Sequence, residues 1–138
     1  MSYDLNRFIT AQERSYDAAL SEIKSGRKRT HWMWYIFPQI DGLGRSSTAQ
    51  FYAISDLQEA KEYYAHPILG PRLVEISEAL LKLDGDNATA VMGYPDDLKL
   101  KSSMTLFAIA SGNPVFSKVL DKYFDGRQDR QTVKILGL

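Results

Sequence analysis

The fold class of this chain depends on the stretch THWMWYIF at residues 30–37. The stretch is too short for hydrophobic periodicity to distinguish a helix from a buried strand. Thr30 can cap a two-turn helix, and Pro38 would end it because proline disfavours the helical conformation in the residue before it. A strand would need partners, but no other part of the chain alternates polar and apolar residues over a useful length. We therefore predict a helix over 30–37.

The segments on both sides of this stretch have helical patterns. Apolar residues recur at spacings of three, four and seven from Leu5 to Ile23, and at alternating spacings of four and three from Leu69 to Leu83. Capping residues and glycine or proline breaks then predict helices over 4–25, from Ser46 or Ser47 to Ile54, over 57–65 behind a Ser55–Gln58 capping box, over about 70–83, from Asn87 to Gly93, from Asp96 or Asp97 to about Gly112, and from Asn113 to Gly126, before a tail that forms a short helix or a packed strand. The sequence thus predicts an all-α fold, a single domain of about seven helices over residues 1–138.

The composition excludes several classes of protein. Seventeen Lys and Arg residues balance seventeen Asp and Glu residues, so no overall field draws the chain to nucleic acid or to a membrane surface. The absence of cysteine excludes a disulfide, a thiol nucleophile and a thiolate zinc site, and it suits a reducing compartment. The first residues lack the basic and apolar regions of a signal peptide, and no apolar run approaches the roughly 20 residues of a membrane span. We expect a cytoplasmic protein.

The aromatic block at residues 31–37 is the first candidate for a ligand site. Trp32 and Trp34 can stack on a base or a nicotinamide ring, while His31 and Gln39 hydrogen-bond to its edge. His31 is also the best candidate for a catalytic acid or base, because imidazole titrates near neutral pH. The alternative is structural, since large aromatic side chains commonly fill a core.

A glycine-containing loop follows the block and leads into a predicted helix. Gly44, Arg45 and Ser46 offer a permissive backbone, a cation and a hydroxyl next to exposed amides, which are the parts of an anion-binding site. The loop is not a P-loop, because the spacing is wrong, the lysine is missing and no strand precedes it. A plain loop that ends in a helix cap explains the same residues equally well.

The second polar segment reads DDLKLKSSMT at residues 96–105. Its candidates for contacting a ribose or a phosphate are Asp96, Lys99, Ser102 and Ser103. Asp97 is a second candidate for the catalytic base. The alternative is an exposed helix on which Asp97 and Lys101 form an ordinary i,i+4 ion pair. Two distant histidines and no ligand-spaced cluster predict no metal site, and no motif indicates a cofactor.

Motifs along the chain also carry a resemblance to a known family. They are His31-Trp32-Met33-Trp34 to Phe37-Pro38-Gln39, Gly42-Leu43-Gly44-Arg45-Ser46, Glu59-Ala60 with Tyr63, His66-Pro67 to Leu73, Gly93 to Asp96-Asp97 with Lys99, and Ser102 to Phe107. With these motifs the chain resembles an uncharacterised, mostly bacterial family known as domain of unknown function 1810. The resemblance covers nearly the whole chain and implies an all-α single domain, but no established activity. Some members carry the name calpastatin, which we regard as a mislabel because a calpain inhibitor is expected to be disordered and rich in proline.

Two hypotheses about function follow from these residues. In the first, segments 31–47 and 96–105 form a pocket for a small phosphorylated or nucleotide-like molecule, which His31 or Asp97 would help to hydrolyse if the protein is an enzyme. A loose similarity to NADAR domains, which act on ADP-ribose conjugates, extends the candidates to ADP-ribose derivatives without carrying over any residue. In the second, the aromatic block and the basic turn at residues 24–29 form a surface for a protein partner. The sequence leaves the oligomeric state open.

Overall fold

Nine helices make up the regular structure of residues 3–138, the part of the chain that the computed structural model describes. They are α1 (Asn6–Lys24), α2 (Met33–Ile36), α3 (Ser47–Phe51), α4 (Leu57–Ala65), α5 (Leu69–Leu81), α6 (Ala88–Met92), α7 (Asp96–Ser111), α8 (Pro114–Phe124) and α9 (Arg130–Ile135). The all-α prediction is confirmed. The count exceeds the predicted number of about seven, but each of the nine helices lies in a segment for which a helix was predicted or, in the tail, left open as an alternative; α2, α3, α6 and α9 are short, with four to six residues. Within residues 3–138, no helix is long and apolar enough to cross a membrane.

The helix predicted over 30–37 is reduced to the four residues of α2. Thr30 does not cap it, because the Thr30 hydroxyl and backbone N–H both donate to the carboxylate of Glu22, at 2.6 and 2.9 Å. These bonds hold the chain before Trp32 against α1 in a non-helical path. The competing strand is also absent from these residues, and the one β-type contact in the described part of the chain is an isolated parallel bridge between Ile40 and Ile54.

Local capping chemistry sets most of the other helix boundaries. The side chains of Ser46, Asn87 and Asn113 accept hydrogen bonds from backbone N–H groups in the first turns of α3, α6 and α8, as predicted. The predicted Ser55–Gln58 box is wrong by one residue. Asp56 accepts from the N–H of Glu59 at 2.8 Å, and Glu59 accepts from the N–H of Ser55 at 2.7 Å. Because α4 begins at Leu57, Asp56 and Glu59 occupy the two positions that a capping box requires.

Helix α7 lies at the centre of the structure and packs against α4, α6, α8 and α9. Its residues 102–107 are all buried, although three of them are polar. A helix covered on several sides loses the one-sided apolar stripe of a surface helix, which explains why segment 96–105 looks polar and weakly amphipathic in the sequence. The exposed face that the ion-pair alternative requires is therefore limited to the first turns of α7.

Aromatic side chains connect α1, α4, α7 and α8 through the middle of the core. The ring of Tyr63 lies between Phe8 and Phe107, with centroid distances of 5.1 and 5.2 Å, and Phe107 continues to Phe116 at 6.0 Å. All four side chains are fully buried. Burying a large aromatic side chain contributes about 2–3 kcal/mol from area alone, so this row supplies a large part of the apolar stabilisation.

Arg7 on α1 joins three segments through its guanidinium group. It donates to the backbone carbonyls of Phe51 and Ala53, both at 2.9 Å, and pairs with the carboxylate of Glu59 at 3.0 Å. The Arg7 and Glu59 side chains retain only 11% and 2% of their exposure. Because the carbonyls belong to the end of α3 and to the following turn, Arg7 fixes the position of α3 relative to α1 and α4.

We predict that Arg7→Met lowers the free energy of unfolding by about 3–5 kcal/mol, because it leaves the Glu59 carboxylate buried without its partner. Urea denaturation measures the loss. Arg14→Met, on the exposed face of the same helix, should change the free energy by less than about 0.5 kcal/mol. Adding Glu59→Gln to Arg7→Met should recover part of the loss. A loss below about 1 kcal/mol in the single variant would show that the ion pair does not hold α3 in place.

Candidate functional site

A cleft of about 390 Å³ lies between the loop at residues 39–46, helix α3 with the turn that follows it, and the first half of α7. Its lining consists of Trp34, Gln39, Ile40, Leu43, Gly44, Arg45, Ser46, Ala49, Tyr52, Ala53, Pro95, Leu98, Lys99, Lys101, Ser102 and Asp129. The volume falls within the range of about 300–1,000 Å³ that is typical of small-molecule sites. The cleft joins the two segments that the sequence analysis assigned to one pocket.

The loop that forms one wall of the cleft is fixed by backbone contacts. The N–H of Asp41 donates to the carbonyl of Ile54 and the N–H of Ile54 donates to the carbonyl of Gln39, both at 2.8 Å. Gly44 lies so close to α3 that a Cβ atom built on it would be 2.5 Å from the Cβ of Ala49. The loop can therefore pack against α3 only if residue 44 has no side chain.

The charges of the cleft are unevenly distributed. Three cations, Arg45, Lys99 and Lys101, line it, but the only acidic lining residue is Asp129. The Nζ atom of Lys99 is 5.4 Å from the centroid of the Trp34 ring and 3.4 Å from a carboxylate oxygen of Asp96. Trp34 itself is half-buried. The cleft thus presents an aromatic face beside an excess of positive charge.

Seven of the site residues predicted from the sequence line the cleft, namely Trp34, Gln39, Gly44, Arg45, Ser46, Lys99 and Ser102. The other five, His31, Trp32, Asp96, Asp97 and Ser103, are outside its lining. The His31 side chain is exposed. The Trp32 ring is 1% exposed and belongs to the core. This agrees with the alternative that large aromatic side chains of the block fill the core. Asp96 pairs with Lys28 at 2.9 Å and with Lys99.

Asp97 and Ser103 both point into the protein rather than to the cleft lining. One carboxylate oxygen of Asp97 accepts from the hydroxyl of Thr89 at 2.5 Å, and the other accepts from the N–H of Leu98 at 2.9 Å. Asp97 therefore connects α6 to the start of α7, and the alternative ion pair with Lys101 is not formed. Ser103 is fully buried and its hydroxyl has no hydrogen-bond partner within residues 3–138.

Three polar or aromatic residues of the cleft, Tyr52, Lys101 and Asp129, were not predicted from the sequence. Lys101 was predictable from the sequence. It lies three positions after Leu98 and Ser102 lies four positions after it, so all three residues share one face of α7. Asp129 could not be found this way. It reaches the cleft because its backbone N–H donates to the buried hydroxyl of Thr105 on α7 at 2.8 Å.

The segment that leads into the cleft is held by the carboxylate of Glu22. This group accepts hydrogen bonds from the backbone N–H groups of Arg29 and Thr30, from the Thr30 hydroxyl and from the indole N–H of Trp32. Burial raises the pKa of Glu22, but the four hydrogen bonds to the charged form outweigh it and lower the pKa from 4.5 to about 2. Glu22 thereby fixes the start of α2, which carries Trp34.

We predict a distinct pH dependence for the contribution of Glu22. Because its pKa is lower in the folded state, the carboxylate stabilises the fold fully above pH 4.5, and this contribution disappears as the pH falls towards 2. Glu22→Gln should lower the free energy of unfolding by about 1–3 kcal/mol near neutral pH, and the difference from the parent protein should shrink across that acid range. Chemical denaturation at a series of pH values measures it.

The exposed Glu13 on α1 provides the matched control. Glu13→Gln removes the same charge without breaking these hydrogen bonds, so its stability should follow the parent protein at every pH. A constant difference between Glu22→Gln and the parent protein down to pH 2 would contradict the assignment.

The sequence and the structure are both similar to those of known proteins. The model of the family described as "Protein of unknown function (DUF1810)" matches residues 2–136. The crystal structure of the conserved hypothetical protein Rv1873 from Mycobacterium tuberculosis is 47% identical in sequence, covers 99% of this chain and 98% of its own, and superposes with a TM-score of 0.96. No curated protein matches. The resemblance inferred from the motifs is confirmed, and the chain belongs to the DUF1810 family.

Proposed function

We propose that the cleft binds a small phosphorylated or nucleotide-like molecule. The observation that carries this proposal is the position of Trp34, a half-buried ring beside Lys99 in a cleft that also contains Arg45 and Lys101. An aromatic face suits a planar ring, and unmatched cations suit an anionic group. A nucleotide, or a derivative such as ADP-ribose, contains both.

The apolar part of the cleft lining supports the proposed position of the ligand's planar ring beside Trp34. Trp34 shares the cleft with Leu43, Pro95 and Leu98, so a flat heterocycle there would have contacts on both its face and its edges. Gln39 supplies an amide, which can both donate to and accept from the edge of a base. Burial raises the pKa of Tyr52, so its phenol remains a neutral hydrogen-bond donor and acceptor at physiological pH.

The cationic part of the cleft lining supports the proposed position of the ligand's phosphate near Arg45 and Lys101. Arg45 and Lys101 form no ion pair within residues 3–138, where the acidic partners are Glu59 and Asp96. An arginine without a carboxylate partner keeps its planar set of N–H donors available for phosphate oxygens. Ser46 and Ser102 lie in the same lining. The Ser46 hydroxyl accepts from the N–H of Ala49 and keeps its proton for such an oxygen, whereas the Ser102 hydroxyl donates to the carbonyl of Leu98.

The proposal concerns binding first, and hydrolysis only as a further prediction. No histidine lines the cleft, and the two residues suggested as proton-transfer groups, His31 and Asp97, lie outside its lining. No observation tests their catalytic role, which stays a prediction. A cysteine-free chain suits the reducing environment of the cytoplasm, where we place this binding function.

The alternative of a protein-interaction surface has less support. It requires the aromatic block at 31–37 to be exposed, but Trp32, Met33, Ile36 and Phe37 retain 1% or less of their exposure. Lys28, in the basic turn at 24–29, is paired with Asp96. The surface available to a partner is therefore mainly the remaining charged side chains of the turn.

Thermal unfolding in the presence of nucleoside phosphates, ADP-ribose, NAD, sugar phosphates and inorganic phosphate tests the proposal. A ligand at about a hundred times its dissociation constant should stabilise the protein by roughly 2.7 kcal/mol, which corresponds to a shift of several degrees in a domain of this size. Trp34→Ala and Lys99→Ala should each weaken binding by about tenfold or more. The first variant removes the proposed contact with the planar ring, and the second removes the proposed contact with the phosphate.

Lys61→Ala is the matched control, since Lys61 is exposed on α4, lies outside the cleft lining and forms no ion pair in the part of the chain that the structure describes. It should bind like the parent protein. A folded protein that responds to none of these compounds would contradict the proposal and favour the protein-interaction surface. Equal binding by the parent protein and Trp34→Ala would place the ligand elsewhere.

A further inference from the structure

A basic groove adjoins the cleft on the side of α9. Its lining is Lys101, Arg127, Gln128, Asp129, Arg130 and Gln131. Every one of these side chains is polar, and three of them are cationic. The groove therefore differs from the cleft, which has an aromatic and aliphatic wall, because no aromatic or aliphatic side chain lines it.

The groove and the cleft adjoin each other, because Lys101 and Asp129 line both. Lys101 is partly buried on α7. Asp129 is held there by three hydrogen bonds: its N–H donates to the hydroxyl of Thr105 at 2.8 Å, and one of its carboxylate oxygens accepts from the N–H and the hydroxyl of Thr132, at 3.0 and 2.6 Å. A ligand that extends beyond the cleft along this side would reach the groove without crossing a barrier of apolar side chains.

The cations of the groove have no acidic partners in the described part of the chain. Lys101, Arg127 and Arg130 form no ion pair among residues 3–138. The one carboxylate in the groove, Asp129, already accepts hydrogen bonds from the N–H and the hydroxyl of Thr132. In a chain whose total charge is zero, this local excess of three cations over one engaged carboxylate attracts an anion independently of the cleft.

We propose that the ligand is an organic diphosphate, such as a nucleoside diphosphate, whose second phosphate occupies the basic groove. This inference rests on the proposed function of the cleft. The planar ring lies against Trp34, the first phosphate lies near Lys99 and Lys101, and the second contacts Arg127 and Arg130. A monophosphate would use only the cleft. The cleft and the groove together therefore select for the length and charge of the phosphate chain as well as for the ring.

Isothermal titration with the mono- and diphosphates of adenosine, guanosine, cytidine and uridine tests this inference. For the base that binds best, the diphosphate should bind about tenfold or more tightly than the monophosphate, since charge-assisted contacts to a second phosphate are added. The double variant Arg127→Ala/Arg130→Ala should bring the diphosphate close to the affinity of the monophosphate, and it should leave monophosphate binding unchanged. Both arginines are exposed, so the variant should keep the parent melting temperature.

Lys61→Ala/Lys118→Ala is the matched control, because both lysines are exposed and line neither the cleft nor the groove. This variant also removes two positive charges, and it should retain the preference for the diphosphate. Equal affinity for mono- and diphosphate in the parent protein would overturn the inference while the proposed function stands. A diphosphate preference that survives in Arg127→Ala/Arg130→Ala would also overturn it. A failure of all eight nucleotides to bind would overturn this inference, whereas the proposed function fails only if the wider set of phosphorylated compounds also leaves thermal unfolding unchanged.

Discussion

The ion pair between Arg7 and Glu59 is the contact on which the position of the cleft depends. Through Arg7, the end of α3 and the turn after it are attached to α1 and α4. Ile54 follows this turn and holds the loop at 39–41 by two backbone hydrogen bonds. A buried ion pair of this kind adds little net stability compared with an apolar contact, but it tolerates only one arrangement of its partners. Its contribution here is to the placement of one wall of the cleft relative to α7.

The opposite wall depends on a different kind of contact. Helix α7 is surrounded by other helices, so its buried residues fix the direction in which its first turns face the loop. Asp97 strengthens this placement by bonding to Thr89. The two walls therefore have separate structural supports, one electrostatic and one mainly apolar. Two of the three cations that line the cleft, Arg45 and Lys101, form no ion pair among residues 3–138, so their charge is available to an anion.

Local chemistry in the sequence predicted the helical fold and the caps of α3, α6 and α8, because Ser46, Asn87 and Asn113 act on neighbouring residues. It could not predict that the Trp32 ring is buried while the Trp34 ring lines the cleft, since the buried ring is bonded to Glu22 on α1, which lies in another segment of the chain. The same limitation applies to Asp97, whose partner Thr89 lies on another helix. Asp129 was missed because packing of α9 against α7 brings it to the cleft. That segments 31–47 and 96–105 both line one cleft was therefore predictable from the sequence, whereas the direction of individual side chains was not.

The most direct test of the cleft as the binding site is a two-dimensional NMR titration of the 15N-labelled protein with a nucleoside diphosphate. The indole N–H of Trp34 and the backbone amides of residues 43–46 and 98–102 should shift together and saturate at one affinity. The indole N–H of Trp32, which is bonded to Glu22 in the core, should move little. Saturable shifts that spare the cleft and cluster around residues 24–31 instead would contradict the assignment of this cleft as the ligand site.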